Sequence, residues 1–271
     1  MPSAGGSVAR FACGRIDLLK PMAADAMASG RGNAAAIYPL VPYSNRIREG
    51  RLTFAGEVIR LARNWPGVNH PMHGDGWAHA WDVVATTEVT AEIVYEHQPG
   101  VAGGWPFRYR ARQMYRLEHD RLAIRIALEN LEERAVPAGI GLHPFFVRDP
   151  DTELAFRAEA VWTADAEVLP IERVAVPPAW DFGTSRKIDP VRLDNCFDGW
   201  DGHARIRWPP HRLQLDLEAS APFRHVVVYS PPEQRFFCVE PVSHANGQVG
   251  LASLGPGATL SGEAVFRVSP L

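Results

Sequence analysis

Val89-Thr90-Ala91-Glu92-Ile93-Val94-Tyr95-Glu96 sets apolar side chains at its odd positions and polar ones at Thr90, Glu92 and Glu96, with only Val94 out of step. A two-residue period sends one set of side chains to a core and the other to water, which is the signature of a half-buried strand. The same rhythm returns down the chain. Phe107, Tyr109 and Ala111 alternate with Arg108, Arg110 and Arg112. Leu122, Ile124, Ile126 and Leu128 form a second row, and Leu213, Leu215 and Leu217 a third, against Arg212, Gln214, Asp216 and Glu218. Turn signals separate these rows: Arg48-Glu49-Gly50, Gln98-Pro99-Gly100, Glu118-His119-Asp120 and Gly255-Pro256-Gly257. Glycine and proline number 23 each and are spread throughout, leaving few windows for a long helix. Many strands, frequent turns and no βαβ rhythm predict an all-β fold, a large antiparallel β-sandwich with few short helices.

At 271 residues the chain is long for one domain, yet sandwiches of this size are commonly single, and no linker divides it; residues 1–271 are expected to form one domain. Two stretches depart from the strand pattern. Residues 168–187 are proline-rich and read as a long irregular loop, and Ala23–Asn33 reads as a poorly ordered one.

Hydrophobic residues make up 46% of the chain, enough for a large core, and the net charge of −3 points to neither nucleic acid nor an anionic membrane as partner. Three cysteines, odd in number and far apart, form no Cys-x-x-Cys pair, so a reducing compartment is expected. Met1–Arg10 lacks the apolar run of a signal peptide, and no stretch approaches the roughly 20 apolar residues that span a bilayer. The expectation is a cytoplasmic protein, monomeric or homodimeric.

Chemistry is carried by two short stretches. Gly141-Leu142-His143-Pro144-Phe145-Phe146 and Cys238-Val239-Glu240-Pro241 each place one titratable side chain beside a proline at the end of an apolar run. A histidine titrates near neutrality and suits a general acid or base. Pro144 forces His143 into extended backbone. A carboxylate after Phe236-Phe237-Cys238-Val239 is partly buried and costly unless partnered; it either pairs with an arginine or, unpaired at a cleft mouth, serves as a base. His73 lies in the glycine-bounded turn Pro71-Met72-His73-Gly74-Asp75-Gly76. Pro42-Tyr43-Ser44-Asn45-Arg46-Ile47-Arg48 is dense in hydrogen-bond donors, and the forked head of Arg46 suits the oxygens of a polar ligand. Asp194 offers a carboxylate acceptor. Eight tryptophans supply faces on which a sugar ring can stack, though most belong to the core or its edges.

Other chemistries lack their motifs. His70, His73 and His79 are close in sequence, but no His-Glu-x-x-His accompanies them. There is no glycine-rich nucleotide loop and no Gly-x-Ser-x-Gly elbow. The histidine pair and nearby glutamate of a cupin-type metal isomerase are missing as well.

Taken together, Pro42–Ile47, Met72-His73-Gly74, Gly141–Phe146, Leu193-Asp194 and Val239-Glu240-Pro241 resemble the aldose 1-epimerase (galactose mutarotase-like) family in order and approximate spacing, from about Tyr38 to Phe266. The match is to its shorter bacterial type. The resemblance implies a β-sandwich that binds a sugar on a concave sheet face and needs no metal or organic cofactor. It implies His143 as general acid and Glu240 as general base, one on each side of the pyranose, each favouring the other's charged form. It further implies that His73 assists near the ring oxygen and that Arg46, Asn45 and Asp194 hold hydroxyls. Ser243-His244-Ala245-Asn246 falls where sugar-selecting residues would sit, and Arg46, Arg48 or Arg51 could meet a phosphate or sulfonate. The alternatives are a silent carbohydrate-binding or regulatory protein on the same sandwich, or an epimerase for a phosphorylated or sulfonated hexose.

Overall fold

The structure, a computed structural model, describes residues 1–189, 191–247 and 251–271. Two antiparallel sheets dominate it. The larger has nine strands, in the order Arg186–Lys187, Glu153–Phe156, His203–Trp208, Leu213–Ala219, Thr259–Pro270, Arg121–Asn130, Tyr109–Leu117, Thr90–His97 and Asp82–Thr86. The other has seven: Pro170–Ala175, Ala160–Ala164, Leu193–Asp198, His225–Ser230, Phe236–Val242, Gly141–Val147 and Ile37–Leu40. Three two-stranded ribbons complete the set among the described residues.

The alternating rows become the core. Leu122, Ile124, Ile126, Leu128, Leu215, Leu217 and Phe266 point inward from the nine-stranded sheet and join Leu142, Phe146, Phe197, Val226, Phe237 and Val239 from the seven-stranded one in a single apolar cluster. The opposite face of the seven-stranded sheet is also buried in part, with Tyr38, Phe145, Cys196, Val227 and Cys238 in a second cluster under Trp65 and Trp77. The result is a sheet with two occupied faces, and the second one carries the site.

Two expectations are corrected. Residues 168–187 are not one irregular loop: Pro170–Ala175 pairs with Ala160–Ala164, Pro178–Trp180 is a 3-10 turn, and Phe182 is buried against Phe156 at 5.5 Å between ring centroids. Pro170–Ala175 is an edge strand, which tolerates proline at its first position, and its mostly exposed side chains give no apolar alternation to read. Ala23–Asn33 contains the helix Ala24–Ala28, anchored by buried Ala26 beside Met22, Ala4 and Ala35. Its small side chains pack too thinly to make a strong periodic signal.

His143 and Glu240 also sit inside strands rather than at strand ends, third in Gly141–Val147 and fifth in Phe236–Val242. These strands are neighbours. Their pairing runs Gly141↔Val242 and resumes at Phe145↔Cys238, which places His143 opposite Glu240. Each strand carries a proline in that interval, Pro144 and Pro241, and a proline has no N–H to give to the ladder.

Candidate active site

All six residues singled out in the sequence, Asn45, Arg46, His73, His143, Asp194 and Glu240, line one pocket of about 320 Å³ on the outer face of the seven-stranded sheet. That is the low end of the range for small-molecule sites and suits one small ligand rather than a chain. The strand period explains the floor. Phe236, Cys238 and Glu240 share one face, as do His143 and Phe145.

His143 Nε2 lies 3.2 Å from Glu240 Oε1, and both side chains are almost wholly buried. The imidazole stacks on Tyr38, its cross-strand partner, and on Phe145, two residues along its own strand, each at 4.6 Å between centroids. Its plane is therefore fixed by packing. The two groups are side by side on the floor, not on opposite walls as the sequence led us to expect.

Their charge states also differ from that expectation. Burial pushes the Glu240 carboxyl well above the usual carboxylate range; nearby Asp194 pushes the same way and Arg46 opposes it. Burial drives the His143 imidazole down to about 3, with the Lys20 ammonium acting in the same direction. Lys20 Nζ stands 4.8 Å from the Phe145 ring and 5.0 Å from that of Phe236. Burial thus favours the uncharged form of each group, a carboxylic acid beside a neutral imidazole, because taking two charges out of water is costly.

Asn45 and His73 clasp each other. Asn45 N–H donates to His73 Nδ1 at 3.0 Å, and His73 N–H returns a bond to the Asn45 carbonyl at 3.0 Å. Both residues have left-handed backbone, φ 56° and 63°. Since Nδ1 accepts, neutral His73 carries its proton on Nε2, the nitrogen left to act as a donor. Burial depresses its pKa well below the ordinary value, helped by His143 and Arg46. The turn behind it is held by the Asn64 amide, which bonds Met72 N, Met72 O and Gly74 O. Gly74 is required here: at φ +64° a Cβ would lie 1.9 Å from the Val41 carbonyl oxygen.

Arg46 bonds Asn45 Oδ1 at 3.2 Å and lies 3.8 Å from Asp194 Oδ2. Burial lifts the Asp194 carboxyl to about 6 against the pull of Arg46. The wall is completed by Trp65, Met72, Val68, Asn33, Tyr229 and Phe236.

Several sequence readings resolve elsewhere. His244 is fully buried and selects nothing: its Nε2 accepts from Ser44 N–H at 3.0 Å and its Nδ1 meets the Ala245 carbonyl at 2.7 Å, so it pins the Pro42–Ile47 segment from behind. Arg48 pairs with Asp165 at the surface and Arg51 is exposed, so of the three basic candidates only Arg46 reaches the pocket. His70, His73 and His79 do not gather: His70 accepts from Glu49 N–H, His73 faces the pocket and His79 stacks on Tyr95. Among the described residues, the ligand-type side chains that do cluster are His143, Cys238 and Glu240. Phe145 and Phe236 could have been found from the period, two residues from His143 and four from Glu240. Trp65 comes from a loop and Asn33 from the 3-10 turn Gly32–Ala34, and neither left a signal.

A family model described as aldose 1-epimerase matches residues 18–267. The chain belongs to the aldose 1-epimerase family. Among its relatives is the uncharacterised Escherichia coli K12 protein YphB, 30% identical over 97% of this chain and 93% of its own. A solved structure from Escherichia coli K12, of a candidate aldose 1-epimerase, superposes with a TM-score of 0.90 at 29% identity, covering 99% and 94% of the two chains. The galactose 1-epimerase of Lactobacillus acidophilus shares the fold at a TM-score of 0.81 and 14% identity, over 99% and 90%. The family is one of isomerases with sugar substrates. Among the described residues no helix is long and apolar enough to cross a membrane.

Proposed function

We propose that this member of the family is a working aldose 1-epimerase, interconverting the α and β anomers of a reducing hexose without a cofactor, with Glu240 as base and His143 as acid. The observation that carries the reading is the 3.2 Å contact between His143 Nε2 and Glu240 Oε1 on the floor of a monosaccharide-sized pocket.

Adjacency suits the reaction. The two reacting oxygens, the C1 hydroxyl and the ring oxygen, are bonded to the same carbon, so an acid and a base placed side by side reach both. In ring opening, Glu240 carboxylate takes the C1 hydroxyl proton while imidazolium His143 protonates the ring oxygen; the C1–O5 bond breaks and C1 becomes an aldehyde. Rotation about C1–C2 presents the other carbonyl face. Closure returns the proton from Glu240 to the carbonyl oxygen and the proton of the C5 hydroxyl to His143.

Proton counting links this cycle to the ligand-free site. A carboxylic acid with a neutral imidazole holds the same number of protons as a carboxylate with an imidazolium. The neutral form is the one that accompanies the open aldehyde. A sugar whose oxygens bond both groups replaces lost solvation and brings the ionic form within reach. His73 Nε2–H would donate near the ring oxygen, Arg46 and Asn45 would hold hydroxyls, and Asp194 would accept from one.

The test is anomer exchange followed by NMR or polarimetry across aldoses and hexose 6-phosphates, with spontaneous mutarotation subtracted. Glu240→Gln and His143→Asn are compared with wild type. Acceleration lost in both variants supports the reading. No substrate turned over above background, or near-normal turnover in His143→Asn, overturns it.

A further inference from the structure

Beside the acid–base pair lies a thiol that ring opening does not use. Cys238 precedes Glu240 by two residues on one strand, and its register partner is Phe145, two residues beyond His143. The period therefore turns all three polar groups to the same face. A ring nitrogen of His143, a carboxylate oxygen of Glu240 and Cys238 Sγ lie within 4.8 Å of one another, all buried.

Imidazole, thiolate and carboxylate together make a ligand set that suits zinc, and three protein ligands with a fourth position open is the arrangement of zinc sites that admit a small molecule. The spacing fits. Bonds of about 2.0–2.3 Å in a tetrahedron set ligand atoms roughly 3.4–3.6 Å apart. The nitrogen–oxygen separation of 3.2 Å between His143 and Glu240 already matches. From a separation of at most 4.8 Å, the sulfur has to close by roughly 1.4 Å at most, a distance that rotation about the cysteine Cα–Cβ bond can cover. Two of the three ligands, His143 and Glu240, line the pocket, so an ion held by all three would lie at its floor.

We propose that a thiophilic divalent cation, Zn²⁺, binds His143, Cys238 and Glu240 and switches the site off by occupying the acid and the base together. The consequence for turnover rests on the proposed epimerase reading; the binding itself does not. Cys238 is the residue that turns a two-ligand pair into a site.

The experiment uses Co²⁺ as a spectroscopic substitute on the full chain. Expected is a near-ultraviolet thiolate-to-cobalt band saturating at one ion per chain and erased by Zn²⁺. The band persists in Cys13→Ser, which removes the exposed thiol, and is lost in Cys238→Ser. Cys238→Ala serves as a second variant, with circular dichroism as the check on folding. In the activity arm, Zn²⁺ slows anomer exchange by wild type about 10²-fold or more, as loss of acid and base together should. Each Cys238 variant keeps most of its own rate at the same Zn²⁺ concentration. The proposal is overturned by absence of the band at millimolar Co²⁺, by its survival in both Cys238 variants, or by Zn²⁺ that binds yet leaves turnover unchanged or raises it. Absence of turnover in the metal-free protein would sink the epimerase reading instead and leave the spectral arm to decide metal binding.

Discussion

Lowering the pH from about 7 to about 5 tests the state of the His143 imidazole directly. Burial holds it at about 3 in the folded chain against an ordinary value of 6.5. Over that window the unfolded chain binds a proton that the folded chain does not, so this histidine's contribution to stability falls as the pH falls. At pH 5, one and a half pH units below the unfolded value at about 1.4 kcal/mol each, the penalty is about 2 kcal/mol; near pH 7 it is close to zero. His143→Gln removes the titrating group and keeps a hydrogen-bonding partner for Glu240. Burial raises the Glu240 carboxyl well above its ordinary range, and the same carboxyl is present in wild type and variant, so the comparison between them isolates the imidazole. Urea denaturation followed by tryptophan fluorescence, on wild type and variant at both pH values, should show the variant gaining about 2 kcal/mol on wild type at the lower pH. The same displacement predicts that kcat/KM has no limb near pH 6.5 from this residue. A stability difference that is the same at both pH values means His143 titrates normally, and the neutral-pair description then fails.

Asp194, lifted to about 6 by burial, is ionised above that pH and accepts most strongly from a hydroxyl in that form. KM should rise as pH falls through about 6, and Asp194→Asn should flatten that dependence in steady-state kinetics. Asp75→Asn tests the anchor of the His73 turn, since Asp75 takes the Tyr109 hydroxyl and lies 2.6 Å from His97 Nδ1. A loss of about 1–3 kcal/mol is expected from the midpoint of thermal unfolding; an unchanged midpoint would show that the turn holds without it. Gly74→Ala forces a Cβ into the Val41 carbonyl at positive φ. It should cost about 1–3 kcal/mol of stability and raise KM, and normal values for both would refute the requirement for glycine there.

The sandwich was legible because the rows at Leu122–Leu128 and Leu213–Leu217 each bury one face, and burial is what a two-residue period records. His143, Glu240, Arg46, Asn45, His73 and Asp194 were legible as pocket residues because short motifs hold them. Their relative placement was not. That His143 and Glu240 touch follows from the register of Gly141↔Val242 and Phe145↔Cys238, a pairing across nearly a hundred residues that no local pattern encodes. Their neutrality follows from burial of both groups, which is a property of the assembled pocket. His244 misled for the same reason: its place after Glu240-Pro241 suggested sugar contact, yet the chain turns it inward onto Ser44.

The floor of the pocket is cut from inner strands of a seven-stranded sheet, while Asn33, Trp65 and Val68 reach it from a 3-10 turn and a loop outside that sheet. On the proposed reading, the acid and base stand on the sheet while part of the wall that would touch the sugar stands outside it. If that reading holds, exchanging those outer segments would alter recognition while leaving the acid–base pair in place, so a library confined to them is the economical route to an altered sugar preference.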